Sequence, residues 1–412
     1  MNIIFVGGYF PEKKIDEFLK KSKIQFQYAA NTFQWGLIHG IQQNSDKQIK
    51  LISSPFLGWF PKYYKEINIK SCDIFNENGE NEGRLVGFIN IPIIKNIIKS
   101  HNLFKEIKLN ISKSENDLII LSTINPFYLK AAIKIKTIYP KIKLCVVVAD
   151  LPELKHDPES RRDINIITWI YKEYVEKPIT YKFLYKFDSY IVLTNQMANF
   201  LNICDRPWVR IEGIFDNVNE GMHDDFLYTK EDKTILYTGS LNYSYGIRNL
   251  LDAFKLIKDN NYKLWICGGG PGENLIRERM LDDKRIQFWG MVSKNTISDL
   301  QKKATLLVNP RNSIGEYNKY SFPSKTMEYL ASGTPALIYK LEGIPDEYYN
   351  FCFTLEDPNT ELLAKTIEEI CMMDKQKLYD LGVSARKFIH ENKNSKVQCG
   401  KILKMLESIE TK

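Results

Sequence analysis

The sequence predicts an α/β protein built as two doubly wound domains, each a largely parallel sheet with helices on both faces. Three observations carry this. Its 412 residues exceed what one hydrophobic core usually serves. Short apolar, β-rich runs alternate with helical stretches along the chain, the pattern of parallel sheets rather than of sandwiches or bundles. The alternation stops and restarts once, across Gly213-Ile214-Phe215-Asp216-Asn217-Val218-Asn219-Glu220-Gly221, a polar, glycine-bearing stretch that reads as an interdomain linker.

In the first half the strand candidates are Asn2 to Val6, Ile49 to Ser53, Leu118 to Leu121, Lys143 to Val148, Ser189 to Leu193 and Trp208 to Glu212. Most are apolar on both faces, as strands of a covered parallel sheet are. Helical periodicity lies between them at residues 13 to 22, 31 to 43, 93 to 112, 126 to 137, 160 to 187 and 195 to 203, while 55 to 90 shows neither period. The second half repeats the alternation with strands Thr234 to Tyr237, Lys263 to Cys267, Ile286 to Phe288, Thr305 to Val308 and Ala336 to Tyr339, and helices at 246 to 259, 272 to 282, 295 to 302 and 323 to 332. A helical cluster over 359 to 410 closes the chain. The expected division is a first domain over 1–213, a second over 222–390, and a C-terminal helix within 391–412 that packs back on the first domain.

No run of eighteen apolar residues appears, and the uncharged start MNIIFVGGYF leads into Pro11-Glu12-Lys13-Lys14 rather than a cleavage site, so the expected location is the cytosol. Seven cysteines, scattered singly and without C-x-x-C spacing, read as reduced thiols acting as small apolar groups. The net charge of +7 suits a phosphate-bearing ligand or an anionic membrane surface as well as nucleic acid. The histidines show no i, i+4 pair, and His223-Asp224-Asp225 reads as a polar turn, so no metal is expected. No G-x-S-x-G elbow and no phosphate loop ending in G-K-[ST] is present.

Ligands of open parallel sheets sit beyond the carboxyl ends of the strands, which makes the strand exits of the second half the segments to inspect. Tyr237-Thr238-Gly239-Ser240-Leu241 leaves the first strand and Gly268-Gly269-Gly270-Pro271-Gly272-Glu273 the second. Glycines there admit a ligand to the backbone, and the helix that follows offers N–H groups to anionic oxygens. Further on, Asn309-Pro310-Arg311 leaves the fourth strand, and Ser321-Phe322-Pro323-Ser324-Lys325-Thr326-Met327-Glu328-Tyr329-Leu330-Ala331-Ser332-Gly333-Thr334-Pro335 reads as one short helix. Ser321 is its expected cap, and Gly333 with Pro335 ends it. Its first turn would present N–H groups, the Ser324 hydroxyl and Lys325 to a diphosphate, stabilising the charge that grows as a sugar–phosphate bond breaks. Glu328, one turn deeper, is placed to accept ribose hydroxyls.

With these residues in view, Thr234 to Leu355 resembles the retaining GT-B glycosyltransferases of group 1, known for two glutamates spaced E-x7-E. The landmarks are Tyr237-Thr238-Gly239-Ser240-Leu241, the Leu264-Trp265-Ile266-Cys267-Gly268-Gly269-Gly270 exit, Ile286-Gln287-Phe288-Trp289-Gly290-Met291-Val292, and Phe322-Pro323-Ser324-Lys325 through Glu328 to Pro335. The resemblance implies two facing Rossmann-like domains, donor binding through Gly8, Gly239, Ser240, Gly269, Met291 (against the nucleobase), Tyr320, Ser324 and Glu328 (on the ribose), and a polysaccharide-assembly role. Departures are clear: the first glutamate falls at Tyr320, and the arginine and lysine that usually grip the diphosphate fall at Ser240 and Tyr245. Arg311 and Lys325 are the expected substitutes, because a guanidinium forks onto phosphate oxygens. Glu316, Tyr317 and Tyr320 are alternatives for lining the sugar pocket.

In the first half, Gly7-Gly8-Tyr9 is either a loop facing the donor or a plain tight turn, and Asp150, at the end of Lys143 to Val148, either serves the acceptor hydroxyl or caps its loop. Ile91 to Ser112 and Ile164 to Phe187 interleave apolar and aromatic residues with lysines, suiting an anionic bilayer or a lipid-linked acceptor. The reading is transfer of a sugar from a nucleotide-sugar, expected to be a UDP-sugar, to a lipid-linked saccharide, with retention and no metal or cofactor. It places catalysis on Asp150, Arg311, Lys325 and Glu328, and a peripheral position on the inner face of the cell membrane, with no nucleic acid as partner. The alternatives are a UDP-sugar epimerase of the same fold and a catalytically silent partner subunit.

Overall fold

In the computed structural model the chain divides into two compact units, Met1–Ile214 with Ser395–Lys412, and Phe215–Asn394. The structure describes residues 2–24, 28–45, 49–76, 78–92, 94–112, 116–152, 166–216 and 230–410; linker residues 217–221, the His223-Asp224-Asp225 turn and the start of the 160–187 helix lie outside them.

The strands of the first unit are β1 Ile3–Gly7, β2 Ile49–Ser53, β3 Asn68–Ile69, β4 Cys72–Phe75, β5 Asn81–Leu85, β6 Phe88–Ile89, β7 Leu118–Leu121, β8 Lys143–Val148, β9 Ser189–Val192 and β10 Trp208–Arg210. Eight form one sheet in the order β10-β9-β8-β7-β1-β2-β5-β4, parallel except for the β4–β5 edge pair, and β3 pairs antiparallel with β6. The central strands are buried along nearly their whole length, which is why they are apolar on both faces. The unread stretch 55–90 holds β3 to β6. These are short edge elements with half their residues in water, too brief to display a period.

The helix Ser395–Glu410 belongs to this unit, packing along Tyr28–Asn44 and adding Cys399, Ile402 and Leu406 to its core. Gly40 permits the approach, since a Cβ there would lie 2.3 Å from the Ser395 carbonyl oxygen. The helical stretch before β9 is not one regular helix. It runs as Ile166–Tyr171, a π-helical turn Lys172–Glu176, and Lys177–Leu184.

The second unit carries β11 Thr234–Thr238, β12 Lys263–Cys267, β13 Ile286–Gly290, β14 Leu306–Asn309, β15 Ala336–Tyr339 and β16 Phe353–Leu355, ordered β13-β12-β11-β14-β15-β16 and parallel throughout. β16 is three residues long and has no sequence signature. The helix Ser324–Ser332 buries Thr326, Met327, Tyr329, Leu330 and Ala331 and ends at Gly333, whose φ of +77° is the left-handed conformation that favours glycine. The helix Lys375–Asn392 backs it so closely that a Cβ on Gly382 would lie 1.9 Å from the Gly333 carbonyl oxygen. No described helix is long and apolar enough to cross a membrane.

Candidate active site

The strand exits of the second unit interlock through their glycines. Gly239 donates its N–H to the Cys267 carbonyl at 3.0 Å, and Gly268 donates to the Gly290 carbonyl at 2.8 Å. Gly268 has a φ of +142°, and a Cβ on it would lie 1.8 Å from the Gly239 carbonyl oxygen, so two loops share a space that admits no side chain. Gly269 faces Met291, whose sulfur would stand 3.0 Å from an added Cβ; Met291 is itself 64% exposed. The Tyr329 hydroxyl accepts the Thr238 N–H at 2.8 Å and donates to the Thr238 carbonyl at 3.1 Å, tying the helix Ser324–Ser332 to the first loop. Burial pushes the pKa of that hydroxyl up, so it stays a protonated donor.

Ser324 opens its helix exposed, with Pro323 as the capping residue and no side-chain cap. The expected cap, Ser321, is otherwise engaged. Its hydroxyl donates to the Tyr317 carbonyl at 3.0 Å and accepts from Arg311 Nη2 at 2.6 Å, which leaves the first-turn N–H groups without a serine oxygen. Arg311 also donates through Nε to Asn318 Oδ1 at 2.8 Å, and its guanidinium lies 4.9 Å from the ring centre of Tyr317 and 5.4 Å from that of Tyr245. Among the described residues no carboxylate pairs with it. Burial lowers its pKa, yet a guanidinium keeps its proton at any neutral pH, so a half-buried positive charge stands here with neutral partners only.

Lys325 and Glu328 are joined to each other, Nζ to Oε2 at 2.6 Å, and Gln301 Nε2 reaches the other carboxylate oxygen at 3.2 Å. Glu328 therefore offers no bare carboxylate, and Lys325 offers a cation already shared. The Lys325 stem passes the first loop, its Cε 3.8 Å from where a Cβ on Gly239 would stand. Ser240 is exposed and its carbonyl accepts from the Tyr237 hydroxyl at 2.6 Å; Tyr320 ends the short turn Glu316–Lys319. The partners that sequence reading missed are Gln301 and Tyr329, brought in by packing across 27 and 91 residues, and Asn318, seven residues from Arg311 in an irregular loop with no periodic signal.

In the first unit, Gly8 is buried, donates its N–H to Gln34 Oε1 at 3.0 Å, and lies so close to Phe56 that an added Cβ would stand 2.3 Å from that ring. Asp150 is exposed in the loop after β8. The stretch Ile91 to Ser112 turns a mixed face of lysines and apolar residues inward. Lys95, Lys99, Leu103 and Ile107, spaced four apart, form the inner face of Ile94–Leu109, whereas Ile97 is 59% exposed. Packing against Pro126–Ile138 sets which face turns in. The stretch after 164 presents Ile170, Tyr171, Tyr174, Val175, Ile179 and Tyr185 to solvent beside Lys182 and Lys186. All described cysteines are free, and no group of three His, Cys, Asp or Glu side chains is placed to hold a metal among the described residues.

Residues 220–388 match the family model described as Glycosyl transferases group 1. No curated protein matches the chain significantly. Among solved structures, sucrose-phosphate synthase from Thermosynechococcus elongatus superposes with a TM-score of 0.66 at 14% identity, covering 100% of both chains. Alr3699/HepE of Anabaena, in complex with UDP, gives 0.63 at 14% identity over 99% of this chain and 100% of its own. The lipopolysaccharide outer core galactosyltransferase WaaB gives 0.63 at 13% identity over 99% of each chain. These likenesses show the fold, two Rossmann-like domains of the GT-B type. With a group 1 domain filling most of its second unit on that fold, the chain is a glycosyltransferase.

Proposed function

We propose that the chain moves a hexose or N-acetylhexosamine from a UDP-sugar to a lipid-linked saccharide, with retention at the anomeric carbon, in the assembly of a cell-surface polysaccharide. Arg311 is the observation that carries the reading. A positive charge held by two tyrosine rings and two neutral side chains, with Ser321 linking it to the start of the helix Ser324–Ser332, is suited to a diphosphate. Tyr245, at the position where the resemblance expects a lysine, is one of those rings. In this reading the missing cation is supplied from the loop after β14.

In this reading Arg311, the helix start with Ser324, and Lys325 stabilise the departing UDP, Lys325 turning from Glu328 toward phosphate as Glu328 takes the ribose hydroxyls. Gly239, Ser240 and Gly269 let the phosphates and sugar approach the backbone, Met291 borders the base, and Tyr320 lines the sugar pocket. Gly8 contributes from the first unit, and Asp150 orients the acceptor hydroxyl. Retention follows the E-x7-E resemblance, and UDP follows the Anabaena neighbour that binds it. Because side chains and backbone supply the positive charge, turnover is expected to be unchanged by EDTA. The exposed aromatic and lysine face over 170 to 186 supports a peripheral seat on an anionic bilayer.

The test is UDP release from a panel of UDP-sugars in the presence of membrane extract, with NMR of the product's anomeric configuration. Wild-type rates in both Arg311→Ala and Glu328→Ala, or release that does not depend on the extract, would remove the assignment.

A further inference from the structure

The first unit holds a cavity of about 250 Å³, partly open to solvent, whose wall includes Phe56, Asn96, Asn125, Lys95 and Lys99. That volume lies below the roughly 300–1,000 Å³ of sites for drug-sized molecules, and suits a group the size of one sugar residue. The lysines stand one turn apart on the inner face of Ile94–Leu109. Lys99 is 4% exposed, donates to the Pro55 carbonyl at 2.6 Å and lies 4.0 Å from the Phe88 ring centre. Lys95 donates to the Leu57 carbonyl at 3.0 Å. Among the described residues neither has a carboxylate partner, and burial lowers the pKa of both.

Two ammonium groups in one poorly hydrated wall repel each other and favour losing a proton, unless an anion joins them. On the face that packing turns inward, Leu103 and Ile107 fill the C-terminal half of the helix, while Lys95 and Lys99 stand at the cavity with their ammonium groups held by backbone carbonyls. We infer that the cavity receives an anionic substituent of the saccharide acceptor, a phosphate or carboxylate on one sugar residue, with Lys95 and Lys99 as its ligands. The ring of Phe56 borders the sugar's apolar face. The inference rests on the reading of the first unit as the acceptor's, and names the acceptor's chemistry.

Calorimetric titration of the full chain with glucose 6-phosphate, glucuronic acid and glucose tests it. At least one charged sugar is expected to bind roughly tenfold or more tightly than glucose, and which one does identifies the anion. Lys95→Met is expected to abolish that preference, with UDP affinity unchanged, whereas Arg311→Ala keeps it. Lys99→Met should act alike; since a buried site is altered, its melting curve is recorded and Lys95→Met stands as the deciding variant. Equal binding of the three sugars, no binding of either charged sugar at millimolar concentration, or an intact preference in Lys95→Met overturns the proposal. If UDP binds and charged sugars do not, this inference fails alone. If charged sugars bind at Lys95 and UDP does not bind, the donor reading fails and the cavity stands.

Discussion

Arg311 and Lys99 are both cations drawn out of water with no acid beside them among the described residues, and they are housed in opposite ways. Arg311 lies between two tyrosine rings with an amide and a hydroxyl on its N–H groups. Lys99 sits under backbone carbonyls and against Phe88. A guanidinium cannot relieve its burial by losing a proton, whereas an ammonium can. The charge at Arg311 is thus fixed, while that at Lys99 is adjustable.

The contrast breaks first at Arg311. Arg311→Ala is expected to slow UDP release about 100-fold or more, with Arg311→Lys between the two because it restores a charge without the fork. An equal loss of UDP affinity in Lys99→Met would erase the distinction between the units. Less drastic is Tyr329→Phe, which strips both partners from Thr238 in the second unit; chemical denaturation should show a loss of about 1–3 kcal/mol.

A third test asks whether buried lysines do adapt. Burial lowers the pKa of Lys230 to about 7, beneath its unfolded value, so the folded chain holds fewer protons and its stability rises with pH through the window from about 7 to 10.5. The lysine's part of the gain is at most ~1.4 kcal/mol per pH unit and is opposed above about pH 8, where unfolded thiols ionise but buried ones such as Cys145 and Cys267 do not; Lys230→Met should remove the lysine's part in thermal melts. The smallest effect concerns the outer surface of the first unit. Lys182→Gln is expected to weaken sedimentation with phosphatidylserine vesicles about fivefold, and raised salt should have the same effect.

Legibility followed how local each feature is. The central strands of both sheets were visible as doubly apolar runs, and the glycine exits at Gly239 and Gly268 as breaks at their ends, because backbone geometry demands those residues in place. The helix Ser324–Ser332 was readable from Pro323 and Gly333, though its cap was not, since Ser321 is diverted to an arginine ten residues back. The ring of Tyr245 against Arg311 and the amide of Gln301 on Glu328 arise from the fold bringing distant segments together. The same holds for Ile94–Leu109. Alternating lysine and isoleucine fits two amphipathic faces, and only the neighbouring helix decides which is inside.

The helix Ser395–Glu410 completes a core begun by Tyr28–Asn44, with the whole of Phe215–Asn394 between them in sequence. On the ribosome the amino-terminal layer therefore waits, one flank bare, until hundreds of later residues have been made. Quality control of this enzyme is consequently weighted to late translation: a nascent chain arrested after Asn394 would carry an intact second unit and an unfinished first one, a natural substrate for chaperones that grip exposed apolar helices.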